Sequence, residues 1–528
     1  MRLLKLADVR AASRAPLVAL LVVLPGCMLG PAYRPPDAAS LKIPAAWRAT
    51  LPHDGSVVAL ARWWGQFDDP ALSSLIDAAQ ADSPTIDAAL ARMRQARASR
   101  ATSVAGLLPK LDGIASFNRS NANTQAVTSN DVSQSTSVQS GELDTSRAGL
   151  QASWELDLFG KARRALQADD ARVESRVDEW HDARVSVAAD VADAYFRTRA
   201  CESLVTAQED EQRSRNATDT VTRQRVAAGF LSPSDATLPQ ASLAEGEDVL
   251  ARQRAECEAD RNELVALTGL ARDALDTRLA AGYARVPEPH GGALDALPAR
   301  TIEQRPDVRA SERTLAAANA EIGAAIAARL PSVSLSGSIE IDRYQAGGGQ
   351  SLTLRPWMFG PTLTVPLFDG GSGAARVEGA RGRYDEALAN YKRMVRQAVM
   401  EVENALVRVD ASVGRERAAL VAQENYKRYA QTVERRFRVG SSDVLEVETA
   451  RRQYVTSRQS VASARLERAQ AWVALYRAVG GGWQEGSAAG DGQARTDAAS
   501  GAQAATDMHA ANDAPAASGT RIVSEAAR

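Results

Sequence analysis

Hydrophobic and polar residues alternate with period two in several short stretches of the chain. The alternation is unambiguous at residues 150–158 and 333–341, and it is looser at 111–117 and 361–367. We therefore predict four strands of about ten residues, the length that a tilted strand needs to cross a membrane. A soluble two-layer sheet with one wet face is the alternative.

Two segments lack helix-breaking residues over an unusual length. Residues 161–228 contain neither Gly nor Pro, and residues 374–439 contain three Gly and no Pro. At about 1.5 Å per residue, each segment predicts a rod about 100 Å long. Shorter helices are predicted at 84–108 and 441–479, and together they nearly match one long helix in length. Two short helices placed end to end can therefore lie beside one rod.

The chain repeats one plan, in which a helix, a strand pair, a long helix, a turn and a helix follow one another. The repeated positions are Ser83-Pro84 with Arg305-Pro306 at an offset of 222, and Gly229 with Gly440, Asp235 with Glu446 and Gly269 with Gly480 at an offset of 211. The offsets differ because the first half carries a longer polar insert at 118–147, which we predict to be a loop.

The N-terminus is typical of a bacterial export signal. Four cationic residues precede an apolar stretch at 17–24, which is too short for a membrane-spanning helix of about 20 residues. Leu24-Pro25-Gly26-Cys27 resembles the lipobox of bacterial lipoproteins, which implies that Cys27 is acylated. In that family Met28, in place of Asp, implies transit to the outer membrane. The alternative is an ordinary signal peptide with an incidental cysteine.

These features divide the chain into six predicted regions. They are a signal peptide (1–26), an acylated N-terminus with an equatorial segment (27–82), a first repeat (83–269), an equatorial linker (270–304), a second repeat (305–483) and a disordered tail (484–528). The segments nearest 45–80 and 270–304 are expected at a waist where the short helices meet.

Composition excludes several classes of function. The formal net charge is −2, so we expect no nucleic-acid partner. The chain has three Cys and four His, without the spacing of a zinc or redox site, and we predict no metal and no cofactor. We also predict that the protein is not an enzyme.

A membrane-spanning sheet requires more than one chain. Four strands cannot close a barrel, and open strand edges are not tolerated in lipid. Two chains supply eight strands, whose interior is filled by side chains, whereas three chains supply twelve and leave a channel.

Three sets of motifs carry a resemblance to a known family. They are residues 30–35 (GPAYRP), Trp63-Trp64 with Asp69-Pro70, and the run from Gln304 through Arg305-Pro306-Asp307 and residues 318–323 to Leu330-Pro331-Ser332. The chain resembles the outer-membrane factor family of TolC-type channels, in particular the lipoprotein branch that serves RND-type tripartite efflux systems.

The resemblance implies an α+β membrane channel with an internal duplication. A homotrimer would form a twelve-stranded β-barrel in outer-membrane lipid, with four strands from each chain, continued by a long periplasmic α-helical coiled-coil barrel. It implies a periplasmic adaptor (membrane fusion) protein and an inner-membrane RND-type pump as partners, and export of small toxic compounds or drugs. The alternatives are the exit duct of a type I protein secretion system and a lipid-anchored coiled-coil structural protein.

The resemblance also assigns functional positions at the ends of the long helices. The tips that contact the adaptor are Arg225, Val226 and Gly229 in the first half and Arg438, Val439 and Gly440 in the second. Asp235 and Glu446 match the acids of the periplasmic gate. A helix C-cap is the alternative role of each glycine, and a solvated surface charge is the alternative role of each acid.

Cys201 and Cys257 each lie 28 residues from Gly229, on opposite sides. An antiparallel hairpin turning at Gly229 would therefore place them face to face, and a disulfide is compatible with an oxidising periplasm. Two buried thiols that act as small apolar fillers are the favoured alternative.

Overall fold

The computed structural model describes residues 28–37, 39–44, 47–48, 63–124, 139–289, 298–346 and 351–481. Cys27, the predicted signal peptide and the predicted disordered tail lie outside these residues. The described helices are α1 (Pro70–Ala81), α2 (Pro84–Ala105), α3 (Lys161–Ala227), α4 (Thr237–Thr268), α5 (Arg272–Leu279), α6 (Pro298–Glu303), α7 (Pro306–Ala327), α8 (Ser372–Arg438) and α9 (Val444–Ala478). The strands are β1 (Lys110–Thr124), β2 (Gln139–Leu156), β3 (Ser332–Ala346), β4 (Ser351–Leu354) and β5 (Trp357–Thr364).

Both long rods are present as single helices. α3 and α8 each contain 67 residues, which corresponds to about 100 Å. Each packs antiparallel against the helix that follows it, α3 against α4 and α8 against α9. No helix in the described part of the chain combines the length and the apolar character needed to cross a membrane.

The short helices meet end to end within each half of the chain. At the start of α7, Arg305 Nη1 donates to the carbonyl of Ala478 (2.7 Å) and Gln304 Nε2 donates to that of Val479 (3.0 Å), at the end of α9. In the first half, Gly269 after α4 lies against Asp82 before α2. The sequence predicted that the helix at 84–108 stacks end to end on the helix at 441–479. This prediction, which joins helices of different halves, is wrong. Each return helix instead runs back beside its own long helix and meets the short helix of its own half.

The strands form one antiparallel sheet in the order β1, β2, β3 and then β4 with β5. β4 and β5 pair with β3 in one continuous register, since Leu354 is opposite Asp342 and Trp357 is opposite Ile339. The interruption falls at Pro356, which has no N–H to donate, while its carbonyl accepts from the N–H of Glu340 (3.0 Å). The fourth strand therefore starts earlier than the predicted 361–367 and is divided in two.

The polar insert at 118–147 is not simply a loop, and that prediction is wrong at both ends. Asn118 to Thr124 pairs residue by residue with Gln139 to Thr145. Arg119 also donates two hydrogen bonds to Asp144 across the strands, at 2.6 and 2.8 Å. The polar sequence therefore extends β1 and β2, and β2 also pairs with β3 as far as Leu143. Opposite charges paired across strands stabilise such an extension.

The sheet has one apolar face and one mainly polar face. Residues opposite each other in the register share a face, so the alternation extends across the strands. The apolar face carries Leu111, Phe117, Leu150, Trp154, Leu335, Ile339, Ile341, Trp357, Phe359 and Leu363. The other face carries Gln151, Ser153 and Glu155, and there Arg147 pairs with Asp342 at 3.0 Å and with Glu340 at 3.1 Å.

The largest core lies at the waist, around the middle of α3. Arg199 is completely buried and donates to Glu202 and to the carbonyl of Leu279, both at 2.9 Å. Its Nε donates to the Tyr195 hydroxyl, which in turn donates to Asp69, the N-cap of α1 (2.6 Å). The Trp63 ring stacks on Tyr476 of α9 at 4.6 Å between centroids. The Trp63-Trp64 and Asp69-Pro70 motifs therefore join the segment before α1 to the long helix.

The N-terminal motif runs along α7, so two of the recognised motifs contact each other. Gly30 lies against Gly323, and the buried Arg164 of α3 donates to the carbonyl of Leu29 at 2.8 Å. Asn319 donates to the carbonyl of Pro31 at 3.1 Å. A β-carbon on Gly323 would lie only 2.7 Å from the Leu29 oxygen, which explains the glycine inside a helix.

We predict that Gly323→Ala destabilises the protein. Alanine favours a helix by about 0.5–1 kcal/mol over glycine, but overpacking against Leu29 and Arg164 costs about 1–3 kcal/mol. Gly382→Ala in α8 is the matched control, because no atom lies within 4 Å of its added β-carbon, and it should be stabilising. Thermal unfolding followed by circular dichroism separates the two variants. An equal gain in both would contradict the close packing at Gly323.

Candidate functional site at the ends of the helix hairpins

The two hairpin turns have the same backbone geometry. Gly229 and Gly440 follow the ends of α3 and α8 with φ of 77° and 80°. Phe230 N–H donates to the Arg225 carbonyl, and Ser441 N–H donates to the Arg436 carbonyl, each at 2.9 Å. This is the hydrogen-bond pattern of a Schellman cap, which requires the left-handed conformation that glycine adopts without strain.

The hydrogen bonds also correct the correspondence between the two tips. Counted from the glycine, Arg225 matches Arg436 and Val226 matches Phe437. The sequence matched Arg225 and Val226 with Arg438 and Val439, which lie nearer the turn. Val439 is 79% exposed, whereas Val226 is half-buried. A repeated Arg-Val pair therefore does not mark equivalent positions.

The two tips contact each other within one chain. The Arg225 guanidinium lies over the Phe437 ring, 5.0 Å from its centroid, and Phe437 is buried. A guanidinium over an aromatic face is attracted by the ring quadrupole. The contact holds the end of α3 beside the end of α8.

Both candidate gate acids take part in starting the return helices. Asp235 accepts from the N–H of Ser232 at 2.9 Å, in a capping box. Glu446 N–H donates to Asp443, the N-cap of α9, at 2.7 Å. The Glu446 carboxylate also pairs with Arg436 at 3.0 Å. Each acid therefore has a local structural role within its own chain.

Sequence reasoning missed a buried charge cluster that joins the two hairpins. The cluster consists of Glu211, Arg215, Ser242, Glu448 and Arg451, from α3, α4 and α9. Ser242 donates to Glu448 (2.8 Å), Arg451 pairs with Glu448 (2.9 Å) and Arg215 donates to the Ser242 carbonyl (2.6 Å). Glu448 and Arg451 are 5% and 7% exposed. Their spacing of three residues on a helix was the available signal.

Burial sets the protonation behaviour within this cluster. Loss of solvent raises the pKa of the Glu211 carboxyl. The positive charges of Arg215 and Arg451 lower this pKa, and the negative charge of Glu448 raises it. Arg215 pairs with Glu211 at 2.8 Å, so the carboxylate has a cation beside it despite its burial. A buried charge pair of this kind tolerates the loss of neither partner.

Cys201 and Cys257 are joined by a disulfide, with their Cα atoms 5.5 Å apart. The sequence favoured two unbonded thiols, and the structure differs because α3 and α4 run antiparallel with these residues directly opposite. The bond closes a sequence separation of 56 residues and packs against Val205 and Leu250. It fixes the first hairpin close to the waist, since Cys201 is two residues from the buried Arg199 and 28 residues from Gly229 at the turn.

The first described residues lie where the sheet joins the helices. Met28 packs against Gly160, the N-cap of α3, and Leu29 N–H donates to the Phe159 carbonyl at 3.4 Å. The predicted lipidation site at Cys27 lies outside the described residues, immediately before this contact.

A sequence model of the outer membrane efflux protein family matches residues 75–270 and 297–481. The chain belongs to this family. The two matched segments contain the two halves described above, with the second waist segment between them.

Individual relatives and solved structures agree with the family. Nodulation protein T of Rhizobium leguminosarum bv. trifolii is 29% identical over 483 residues, covering 89% of this chain and 97% of that protein. The probable efflux pump outer membrane protein TtgC of Pseudomonas putida is 30% identical over 479 residues, covering 88% and 94%. The structure of the outer-membrane channel OprN matches with a TM-score of 0.75 at 30% identity, covering 87% of this chain and 100% of that one.

A further solved structure, the open state of the Neisseria gonorrhoeae MtrE outer membrane channel, matches with a TM-score of 0.69 at 26% identity, covering 86% of this chain and 98% of that one. The predicted family, the function as an efflux channel and the outer-membrane location are therefore confirmed. The chain of this outer membrane efflux protein combines long helices with a small sheet, in the fold of outer-membrane channel proteins.

We predict that removing the disulfide loosens the first hairpin. Replacing Cys201 and Cys257 by alanine should lower the free energy of unfolding by about 2–4 kcal/mol, because the unfolded chain regains the freedom of a long closed loop. Alkylation followed by mass spectrometry checks the bond directly. Both cysteines should resist alkylation until a reductant is added, and labelling of the unreduced protein would contradict the disulfide.

We predict that Arg451→Met weakens the packing between the two helix hairpins. It leaves Glu448 buried without its cation, at a cost of about 3–5 kcal/mol. Arg428→Met is the matched control, since Arg428 pairs with Glu424 on the exposed surface of α8 and such pairs contribute about 0–1 kcal/mol. Hydrogen exchange over residues 434–451 is the measurement. Similar protection in the two variants would show that the cluster does not hold the hairpins together.

Proposed function

We propose that this protein is the outer-membrane channel of a tripartite efflux pump. It works as a homotrimer with a periplasmic adaptor and an inner-membrane RND-type pump, and it exports small toxic compounds or drugs. The observation that carries the proposal is the two-faced sheet with unpaired outer edges. The relative TtgC, named as a probable efflux pump outer membrane protein, supports the same role.

The sheet edges support assembly into a barrel. Within the described residues, β1 and the strand formed by β4 and β5 each pair on one side only. Lipid does not tolerate such open edges, so the edge of one copy pairs with the opposite edge of the next. Three copies close a barrel of twelve strands, counting β4 and β5 as one. The apolar face then meets lipid and the mainly polar face lines the lumen.

The outer surface of α8 supports the same assembly along the helical part. Apolar side chains recur there about every seven residues and are exposed in the single chain. They are Met400, Val407, Val413, Leu420 and Val421, with exposures of 54%, 58%, 43%, 38% and 59%. Apolar positions at heptad spacing pack against another helix in a coiled coil. A neighbouring copy is the partner that closes a helical barrel.

The tips are the proposed adaptor contacts. Phe230 and Val439 are both 79% exposed beside Gly229 and Gly440. Exposed apolar residues at the end of a rigid hairpin, with Arg225 and Arg438 beside them, suit a contact with a second helical protein. The contact between Arg225 and Phe437 presents the two tips as one surface.

Threefold symmetry would turn the tip acids into a gate. Three copies of Asp235 and of the Arg436–Glu446 pair would surround one axis, and rings of acids favour cations over anions. Thr449 stands where the family commonly has a further acid. The ring proposed for this channel therefore depends on Glu446 and Asp235, each already held by its own chain.

Lipid attachment at Cys27 fits the position of the residue that follows it. Met28 contacts Gly160 at the helix side of the sheet, which is the level of the inner leaflet in the proposed barrel. Acyl chains on Cys27 would enter the bilayer at that level. Each buried CH2 adds about 0.8 kcal/mol to such an anchor.

Conductance tests the proposed function. The purified protein should run as a heat-sensitive trimer and should form ion-conducting pores in planar bilayers, and Glu446→Gln should reduce the preference of the pore for cations. A protein that extracts as a monomer without conductance would instead be the lipid-anchored structural protein.

Deletion of the gene separates efflux from the exit duct of type I secretion, because loss of efflux raises sensitivity to small toxic compounds while loss of the duct abolishes secretion of a protein.

A further inference from the structure

The end of the apolar face remote from the helices carries two arginines that the channel function does not use. In the register, Phe117, Ser146, Arg343 and Thr353 lie side by side on this face. Arg355 comes two residues after Thr353, so it lies on the same face, nearer the apolar residues and diagonal to Arg343. We call Arg343, Arg355, Ser146 and Thr353 the rim.

The two rim arginines have no acidic partner within the described residues, and both are exposed. Arg147 on the opposite face contrasts with them, because Asp342 and Glu340 neutralise it at 3.0 and 3.1 Å. The two faces of the sheet therefore differ in whether their arginines are neutralised by carboxylates. The arginine on the proposed lumen side has two carboxylates, and the arginines on the proposed lipid side have none.

The nearest acids on the rim side belong to another pair or lie further out. Asp144 is diagonal to Arg343, but both its oxygens accept from Arg119, at 2.6 and 2.8 Å. Glu142 lies one step further along β2, away from the helices. The rim therefore keeps a positive charge at the border of the apolar face.

An aromatic side chain marks where that border meets water. Trp357 is 76% exposed and lies two residues from Arg355 on the same face. Tryptophan favours the boundary between hydrocarbon and headgroups, and aromatic girdles flank the apolar band of membrane barrels. The rim, one step beyond Trp357, therefore lies at the level of the headgroups.

We propose that the rim binds the phosphate groups of lipids in the leaflet remote from the helices, which in an outer membrane is composed of phosphorylated lipid A. This inference rests on the proposed function, since it requires the apolar face to meet lipid. Diagonal neighbours in a sheet are about 7–8 Å apart, so one phosphate can accept from both guanidinium groups. Ser146 and Thr353 add hydroxyl donors. The apolar face directly below receives the acyl chains, which selects a lipid over free phosphate.

The test compares lipid A with lipid A from which the phosphates have been removed, titrated into the detergent-solubilised full-length protein and counted by native mass spectrometry. The wild-type protein should bind the phosphorylated lipid about tenfold more tightly or better, as expected for charge-assisted hydrogen bonds. Arg343→Gln/Arg355→Gln should abolish this preference. Arg417→Gln/Arg452→Gln, which removes two exposed helix arginines remote from the sheet, should retain it.

Several results would overturn the inference. They are equal binding of the two lipids by wild type, an unchanged preference in the rim variant, and displacement of lipid A by millimolar inorganic phosphate, which would indicate a site for the free anion. If the rim variant fails to assemble, the wild-type comparison and Arg343→Lys/Arg355→Lys decide, since lysine keeps the charge and should retain part of the preference. Conductance of the same preparations is the separate readout of the proposed function. A conducting protein without phosphate preference refutes the rim alone.

Discussion

A helix of 67 residues must be covered along its whole length, and the rest of the fold follows from that constraint. Most of the stability of a helix in a protein comes from lateral packing against its neighbours. α8 packs against α7 and α9, and α3 packs against these two helices and also against α2 and α4, so every long helix faces a joint between two chain segments. The joint leaves helix ends whose carbonyl groups need donors. Arg305 and Gln304 supply them for α9, and the waist is built around such junctions.

Because the chain is duplicated, each half has a joint between two short helices, and different residues close the two joints. In the second half the joint is closed by Arg305, which bonds to Asp307, Glu401 and the end of α9. In the first half Asp82 and Gly269 meet at the equivalent place. The buried Arg199 then ties the linker after α4 to α3 and, through Tyr195, to Asp69. Two of the motifs that carry the family resemblance, Trp63-Trp64 with Asp69-Pro70 and Gln304 to Asp307, thus close the waist, whereas residues 30–35 and 318–323 contact each other nearer the sheet.

Local patterns explain what could be predicted from the sequence. Long segments without proline and with few or no glycines predicted the rods, and alternation predicted the strands, because both depend on neighbours along the chain. The repeat placed the turns at Gly229 and Gly440. Contacts between distant segments were not visible in the same way, as the pairing of short helices across the two halves shows. Glu448 was not singled out from the sequence, because its partner Ser242 in α4 lies 206 residues away along the chain.

The contact between Met28 and Gly160 changes the physical character of any anchor at the preceding residue. Consecutive Cα atoms are 3.8 Å apart. No flexible linker would therefore separate a lipid on residue 27 from the folded protein. The chain is held against the base of the sheet from the next residue onward, by Gly160, Phe159 and Arg164. In the proposed barrel, such an attachment would fix the depth of the sheet in the bilayer and would limit tilting of each subunit about the base of its sheet.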